Sequence, residues 1–234
     1  MKNLFLLGLF SVLAFSANAE EDEHGHGGHA GDVIIHAEGT ELHIESGIPL
    51  ANGGFLFESD FDLHNGHYES EAPGFDLETG YDFSIGNALA YSVQGPLQFW
   101  GGASWGSAGS DSVSIINGAL PADEIIVNSS SSYDLSIIDV STDGGVHTHV
   151  DFELSDNASN GAYLVELVLK GFSDSGLQTE LFSSDSVFIA FNHGLSEELF
   201  ELSVDAMSPV PVPAAWLFLA SGLGSLLLGR RLRA

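Results

Sequence analysis

The sequence predicts an all-β protein, a single β-sandwich domain of the jelly-roll or immunoglobulin-like kind with a short C-terminal helix. Short runs of β-branched and aromatic residues alternate with polar ones, and Gly, Pro, Asn, Ser and Asp separate these runs at close intervals. The chain has 234 residues, of which 44% are hydrophobic, and this is enough to form one core. We expect a signal peptide at 1–19, a disordered tether at 20–31, the sandwich at 32–207 and an apolar sorting helix at 208–234.

The first nineteen residues have the features of a secretory signal peptide. Lys2 gives a positive start, residues 4–15 are apolar, and the small residues 17–19 form a cleavage site. We therefore expect signal peptidase as a partner and an exported product.

The tether that follows is acidic and rich in Gly and His, which predicts disorder. Three histidines on a flexible segment can close around zinc or copper, and short His-rich tracts are commonly metal-binding. His24, His26 and His29 are therefore candidate metal ligands, and a solvated tail is the alternative interpretation.

The first predicted element of the sandwich is a β-hairpin over 32–46. Apolar and polar residues alternate on both sides of Gly39-Thr40, and a two-residue loop that begins with Gly favours a type II′ turn. This register places His36 opposite His43, although opposed polar pairs are common on any solvated sheet.

A second hairpin is predicted around Asn65-Gly66, because Asn-Gly between alternating residues indicates a type I′ turn. The register places His64 directly opposite His67. Cross-strand Cβ atoms lie about 5 Å apart, which is close enough for two imidazoles to share one ion. His64 and His67 are therefore a further candidate metal site.

Short strands are predicted through the rest of the domain. Residues 162–172 are apolar on both faces and are expected to form a central strand paired with 146–154. Trp100 and Trp105 flank a Gly-Gly turn and could stack on a sugar, although core packing or loop anchoring is the favoured role. The C-terminal helix should follow Ser196, with Leu199 and Leu202 facing the core. The other predicted strands are 55–61, 89–93, 97–100, 113–116, 125–128, 135–140 and 187–192.

The segment 146–154 alternates strictly between apolar and polar residues, which predicts one half-buried strand. His147 and His149 then lie on the polar face, about 7 Å apart. Imidazole and carboxylate are ligands that zinc accepts, so these two histidines are the leading candidate ligands. The alternative is an exposed polar face with no metal.

The charge balance restricts the partners. The chain has 33 acidic and 5 basic residues, a formal net charge of −28, and no cysteine. Such a protein repels nucleic acid and attracts cations, although the charge is also explained by solubility outside the cell. The absence of cysteine excludes thiolate metal ligands.

The C-terminal segment has a proline motif, an apolar run that is marginal for crossing a bilayer, and a basic end. A single membrane anchor would explain it. It also resembles a PEP-CTERM sorting signal in its Val-Pro-Leu-Pro-Ala variant, with Val at the third position. The motif residues are Val210, Pro211, Val212, Pro213 and Ala214. The resemblance implies transient insertion in the inner membrane of a Gram-negative type of bacterium, and processing by an exosortase-type enzyme. It also implies release toward the cell surface or an exopolysaccharide matrix.

The body contains five short motifs in this order: EAPGFD at 71–76, GPLQFW at 95–100, HTHVDF at 147–152, GAYLVEL at 161–167 and FIAFN at 188–192. Together they resemble the Zur-repressed family of PEP-CTERM proteins, and the His-x-His strand with Gly-x-Tyr-Leu is similar to a domain of actinobacterial surface-anchored proteins. Membership implies repression when zinc is plentiful, and hence production during zinc starvation.

These observations predict a non-enzymatic surface or matrix protein that binds zinc or a similar divalent metal and buffers or scavenges it. The alternative is a structural or adhesive exopolysaccharide-matrix protein with no role for a metal. An enzyme is the third interpretation, because no nucleophile–base arrangement with recognisable spacing is present and a zinc hydrolase would require an open coordination position.

Overall fold

A computed structural model describes residues 31–51, 53–118 and 124–207. The predicted signal peptide, the candidate ligands His24, His26 and His29, and the predicted sorting segment with Val210 to Ala214 lie outside the described residues. The described chain forms β1 Val33–Glu38, β2 Glu41–Ile44, β3 Ile48–Pro49, β4 Phe55–Asp60, β5 Asp62–His64, β6 His67–Ser70, β7 Phe75–Leu77, β8 Ala88–Val93, β9 Gln98–Trp100, β10 Trp105–Ser107, β11 Val113–Ile116, β12 Glu124–Val127, β13 Leu135–Val140, β14 Val146–Thr148, β15 Asp151–Leu154, β16 Gly161–Phe172, β17 Glu180–His193 and the helix α1 Glu197–Asp205.

The strands of the described residues form two sheets, and this confirms the predicted all-β class with one short helix. The large sheet has twelve strands, eight of them in the order β10-β9-β16-β17-β2-β1-β7-β14, with β8 and β13 added beside β16 and with β3 and β4 beside β17. The small sheet has five strands in the order β12-β11-β15-β6-β5. Most pairs are antiparallel, but β1 pairs with β7, and β17 with β2 and β4, in parallel.

The core lies between the two sheets. Strands β11, β12 and β15 of the small sheet turn one set of apolar side chains toward the large sheet, as the period of two requires, whereas β5 is exposed along its length. Phe152 of β15 and Phe191 of β17 meet there, with ring centroids 4.9 Å apart. Both side chains are completely buried.

The helix α1 covers the opposite face of the large sheet. Its buried residues Phe200 and Val204 pack in a cluster with Leu164 and Phe188 from the sheet. The strands at the centre of the large sheet are therefore buried on both faces, which explains why β16 is apolar except at the partly buried Glu166 and Lys170. The predicted inward direction of Leu199 and Leu202 is wrong, because these side chains are 44% and 54% exposed. The helix is rotated so that Phe200 supplies the larger buried surface.

Both predicted hairpins are confirmed with their registers. In the first, Gly39 has a φ of +65° and His36 is paired with His43. In the second, Asn65 and Gly66 have φ values of +51° and +96°, as a type I′ turn requires, and His64 is paired with His67.

The prediction of one continuous strand over 146–154 is wrong. The chain leaves the large sheet after β14, passes through His149 and Val150, and enters the small sheet as β15. Alternation of burial continues across the break, so the sequence pattern does not reveal it. The predicted pairing of 162–172 with this segment is also wrong, because β16 pairs with β17, β8 and β9.

Within the described part of the chain, no helix is long and apolar enough to span a membrane.

Candidate metal centre

Three neighbouring strands of the large sheet bring Asp32, His147 and His149 together. Strand β7 lies between β1 and β14, with Val33 and Thr148 both paired with Phe75. Extending both registers by one residue pairs Gly74 with Asp32 on one side and with His149 on the other. His147, paired with Asp76, lies on the same outer face in the next row. Each of the three offers a ligand atom within 4.8 Å of the others.

Gly74 makes this approach possible because it puts no side chain in the middle of the row. A Cβ at this position would lie 2.5 Å from His149 Cε1, 2.8 Å from His149 Nε2 and 2.8 Å from Asp32 Oδ1. At distances below about 3 Å something must shift, so a Cβ here would displace the end of the His149 or Asp32 side chain. The glycine therefore leaves the space in which the imidazole and the carboxylate meet.

Backbone groups hold the two side chains on either side of Gly74. The Gly74 N–H donates to Asp32 Oδ1 at 3.1 Å, and the Val33 N–H donates to the Gly74 carbonyl at 2.9 Å. On the other side, His149 Nδ1 lies 2.8 Å from the Glu71 carbonyl oxygen. Because a carbonyl only accepts, Nδ1 carries the proton in this contact, and Nε2 carries the lone pair that a metal needs.

The burial of the three groups differs. Asp32 is only 3% exposed, whereas the side chain of His147 is 43% exposed. The two imidazole rings meet edge to face with centroids 5.7 Å apart. Asp76 Oδ1 lies 3.8 Å from His147 Nδ1, so a second carboxylate stands beside the group. The site therefore has a buried carboxylate end and a more exposed imidazole end.

Two imidazoles and one carboxylate form a ligand set that suits zinc and other borderline divalent ions. Zinc binds nitrogen and oxygen at about 2.0–2.2 Å, so the ligand atoms of a tetrahedral site stand about 3.3–3.5 Å apart. The candidate ligand atoms lie within 4.8 Å of one another, so they would have to move closer together to reach that separation. The group therefore has the ligand types and the proximity of a candidate divalent-cation site.

His64 and His67 stand opposite each other at the edge of the small sheet, but each faces a different carboxylate. His64 Nδ1 lies 3.1 Å from Glu69 Oε1, and His67 Nδ1 lies 3.1 Å from Glu153 Oε1. Neither belongs to a group of three candidate ligands within the described residues. The structure therefore gives this predicted site two histidine–carboxylate contacts rather than a convergent ligand set.

The small sheet also contains a carboxyl group with a perturbed pKa. Burial raises the pKa of Asp151 above its ordinary value of 3.8, and the neighbouring carboxylates of Glu71, Glu69 and Glu153 raise it further. This group follows directly on the break between β14 and β15. It marks a concentration of negative charge next to the segment that carries His149.

The two tryptophans considered for sugar stacking have structural positions. Trp100 is 3% exposed and packs in the cluster beneath α1. Trp105 is paired with it across the β9–β10 hairpin, and its Nε1–H donates to the Ser203 carbonyl at 3.0 Å. The interpretation as core and anchoring residues agrees with these contacts.

Comparisons with known proteins give no family. No protein-family model matches the chain, and no curated protein matches it. Among solved structures, a mutant of the CFA/I adhesin CfaE of enterotoxigenic E. coli is similar at 10% identity, with a TM-score of 0.25. The match covers 59% of this chain and 46% of that one, less than half of the adhesin's length. A likeness of this size transfers neither fold details nor function.

Proposed function

We propose that this protein is an exported, non-enzymatic β-sandwich that binds zinc or a similar divalent metal through Asp32, His147 and His149. Its role is to buffer or scavenge the metal at the cell surface or in the surrounding matrix. In this proposal the C-terminal segment directs the protein there through an exosortase-type enzyme.

One observation carries the metal assignment: Asp32 and His149 meet across Gly74, with His147 beside them. Asp32 is far in the sequence from His147 and His149, and the pairing of β1, β7 and β14 brings it beside them. A glycine at the centre of the row, where any Cβ would collide with both neighbours, supports a binding site over a chance cluster on an acidic surface.

The choice of zinc is supported by the ligand types and by the resemblance to the Zur-repressed family. The net charge of −28 also favours cations around the whole molecule. This general attraction has little selectivity among ions, so the test of the proposal must separate it from binding at the three ligands.

The test is zinc titration calorimetry on the full chain in a background where His24, His26 and His29 are replaced by Ala. We expect the double variant His147→Ala/His149→Ala to lose one bound zinc ion, or to bind it at least about tenfold more weakly. His64→Ala is the matched control, because it removes an exposed histidine that also contacts a carboxylate. Equal zinc binding by the double variant and its parent would remove the proposed site.

A further inference from the structure

We propose that the outer face of the β1–β2 hairpin is a second site for a divalent transition-metal ion, with His36, His43 and Glu38 as its ligands. This goes beyond the proposed function, because it assigns another ion to residues that take no part in the first site. The three side chains each offer a ligand atom within 4.8 Å of the others.

The hairpin register creates the site. His36 and His43 are directly paired across the two strands, and Glu38 is the next outward residue along β1. The two imidazole rings stack with centroids 5.1 Å apart and an interplanar angle of 30°. The inward residues on either side of His36 are Ile35 and Ala37, both completely buried. The core therefore fixes the backbone beneath the two histidines.

His36 has an unsatisfied nitrogen that a metal ion can satisfy. Its side chain is only 14% exposed, and its buried Nδ1 makes no hydrogen bond in the described structure. Glu45 Oε1 lies 3.2 Å from this nitrogen, which is an ion-pair distance, but outside the direction in which a hydrogen bond forms. A buried polar nitrogen in this state is unfavourable, and coordination relieves it.

Further carboxylates surround the pair. Glu41 Oε2 lies 3.7 Å from His43 Nε2, in addition to the Glu45 contact with His36. Glu38 is paired with Glu41 at the end of the hairpin, so like charges face each other there. A divalent cation between them reduces this repulsion and completes a nitrogen and oxygen ligand set.

A loop after β7 holds His36 in place. Tyr81 stacks on the His36 ring with centroids 4.6 Å apart and an interplanar angle of 22°. The loop is tied to the hairpin, because the Asp82 N–H donates to the Ala37 carbonyl and Asp82 Oδ2 accepts from the Gly39 N–H. The imidazole thus has one orientation before any ion binds, which reduces the entropic cost of coordination.

The two sites are separate. Asp32 directly precedes β1, and His36 lies four residues later along the same extended segment. This spacing separates the two residues by about 13 Å. One ion cannot reach both ligand sets at that distance, so each site should bind its own ion. With imidazole and carboxylate ligands and no cysteine in the chain, the second site also suits Zn²⁺, Cu²⁺ or Ni²⁺.

The experiment uses the full chain with the three tether histidines replaced by Ala, and counts bound Zn²⁺ after gel filtration. We expect two ions in this parent and one in His43→Ala. We also expect one ion in His149→Ala and none in the double variant. His43 is 42% exposed, so its replacement should leave the fold intact, and His43→Gln provides a second variant of similar volume. His64→Ala again serves as the control and should retain two ions.

A direct count of ligands completes the test. Cu²⁺ bound to His149→Ala should show two imidazole nitrogens by electron spin-echo spectroscopy, and His43→Gln on that background should remove this signal. If His43→Ala and His43→Gln keep the parental zinc content, or Cu²⁺ shows no histidine pair, the second site is overturned. Loss at His43 with no loss at His149 would instead refute the first site and leave the second intact.

Discussion

Gly74 is the residue on which the first candidate site depends, although it contributes no ligand atom. The adjacent positions of its row are occupied by Asp32 and His149, and the glycine backbone donates directly to the Asp32 carboxylate. Its conformational freedom is not the reason for the glycine. The reason is the volume of the missing Cβ, which the imidazole of His149 takes.

Replacing this glycine tests the site without touching a ligand. In Gly74→Ala the new Cβ forces His149 and Asp32 apart, so we expect zinc affinity at the first site to fall at least about tenfold and stability to fall by about 1–3 kcal/mol. Zinc calorimetry and urea unfolding measure the two effects. Gly106→Ala is the matched control, since nothing lies within 4 Å of a Cβ built there. Unchanged zinc affinity in Gly74→Ala would contradict the assigned geometry.

The sequence identifies only part of this site. The His-x-His spacing is visible in the sequence, and the structure places His147 and His149 close together. Asp32 escapes sequence reasoning because its proximity depends on β7 being inserted between β1 and β14, and no local pattern encodes that order. Gly74 escapes for the same reason, as its place between two ligands exists only in the folded sheet.

At the scale of elements, local pairings are predictable and distant ones are not. The turns at Gly39-Thr40 and Asn65-Gly66 fix two hairpins, because each turn type fixes its own register. The strands β3 and β7 are too short to show an alternating pattern and are missed. The break at His149 is hidden because inward and outward directions continue in phase from β14 into β15.

The carboxylates where β15 pairs with β6 lead to a prediction about the pH dependence of stability. Burial raises the pKa of Asp151, and the carboxylates of Glu71, Glu69 and Glu153 raise it further. Glu153 and Glu69 are paired across the two strands. Between 3.8 and the raised value, the native state holds more protons than the unfolded state. The free energy of unfolding therefore falls as pH rises through this window, and ionised Asp151 destabilises the fold above it.

We accordingly expect Asp151→Asn to raise the melting temperature at pH 7, with a gain that shrinks as the pH approaches 3.8. Differential scanning calorimetry from pH 3 to pH 8 measures it. Asp185→Asn removes the same formal charge from an exposed position and should give a smaller gain. Equal gains for the two variants would attribute the effect to net charge alone.

At the scale of the whole molecule, a metal at the first site would link the beginning of the described chain to β14. An ion that binds only the folded state stabilises it by about 2.7 kcal/mol at a free concentration of one hundred times Kd. We expect zinc at that level to raise the melting temperature of the full chain, and this rise to shrink in His147→Ala/His149→Ala.

Magnesium is the appropriate comparison for this measurement. It neutralises the charge of −28 as zinc does, but it prefers oxygen ligands to imidazole. Thermal shifts at equal ionic strength then separate general screening from coordination. If magnesium reproduces the zinc shift, the stabilisation comes from charge neutralisation and not from the histidines.

The position of β17 has a consequence for how the molecule is assembled during synthesis. This strand follows the other sixteen described strands in the sequence, yet it lies in the middle of the large sheet, paired with β2, β4 and β16. A nascent chain emerges from the ribosome amino end first, so β2 and β4 cannot pair with β17 until almost the whole domain has been translated. The hairpins can form early, but closure of the large sheet requires β17 and is therefore a late step.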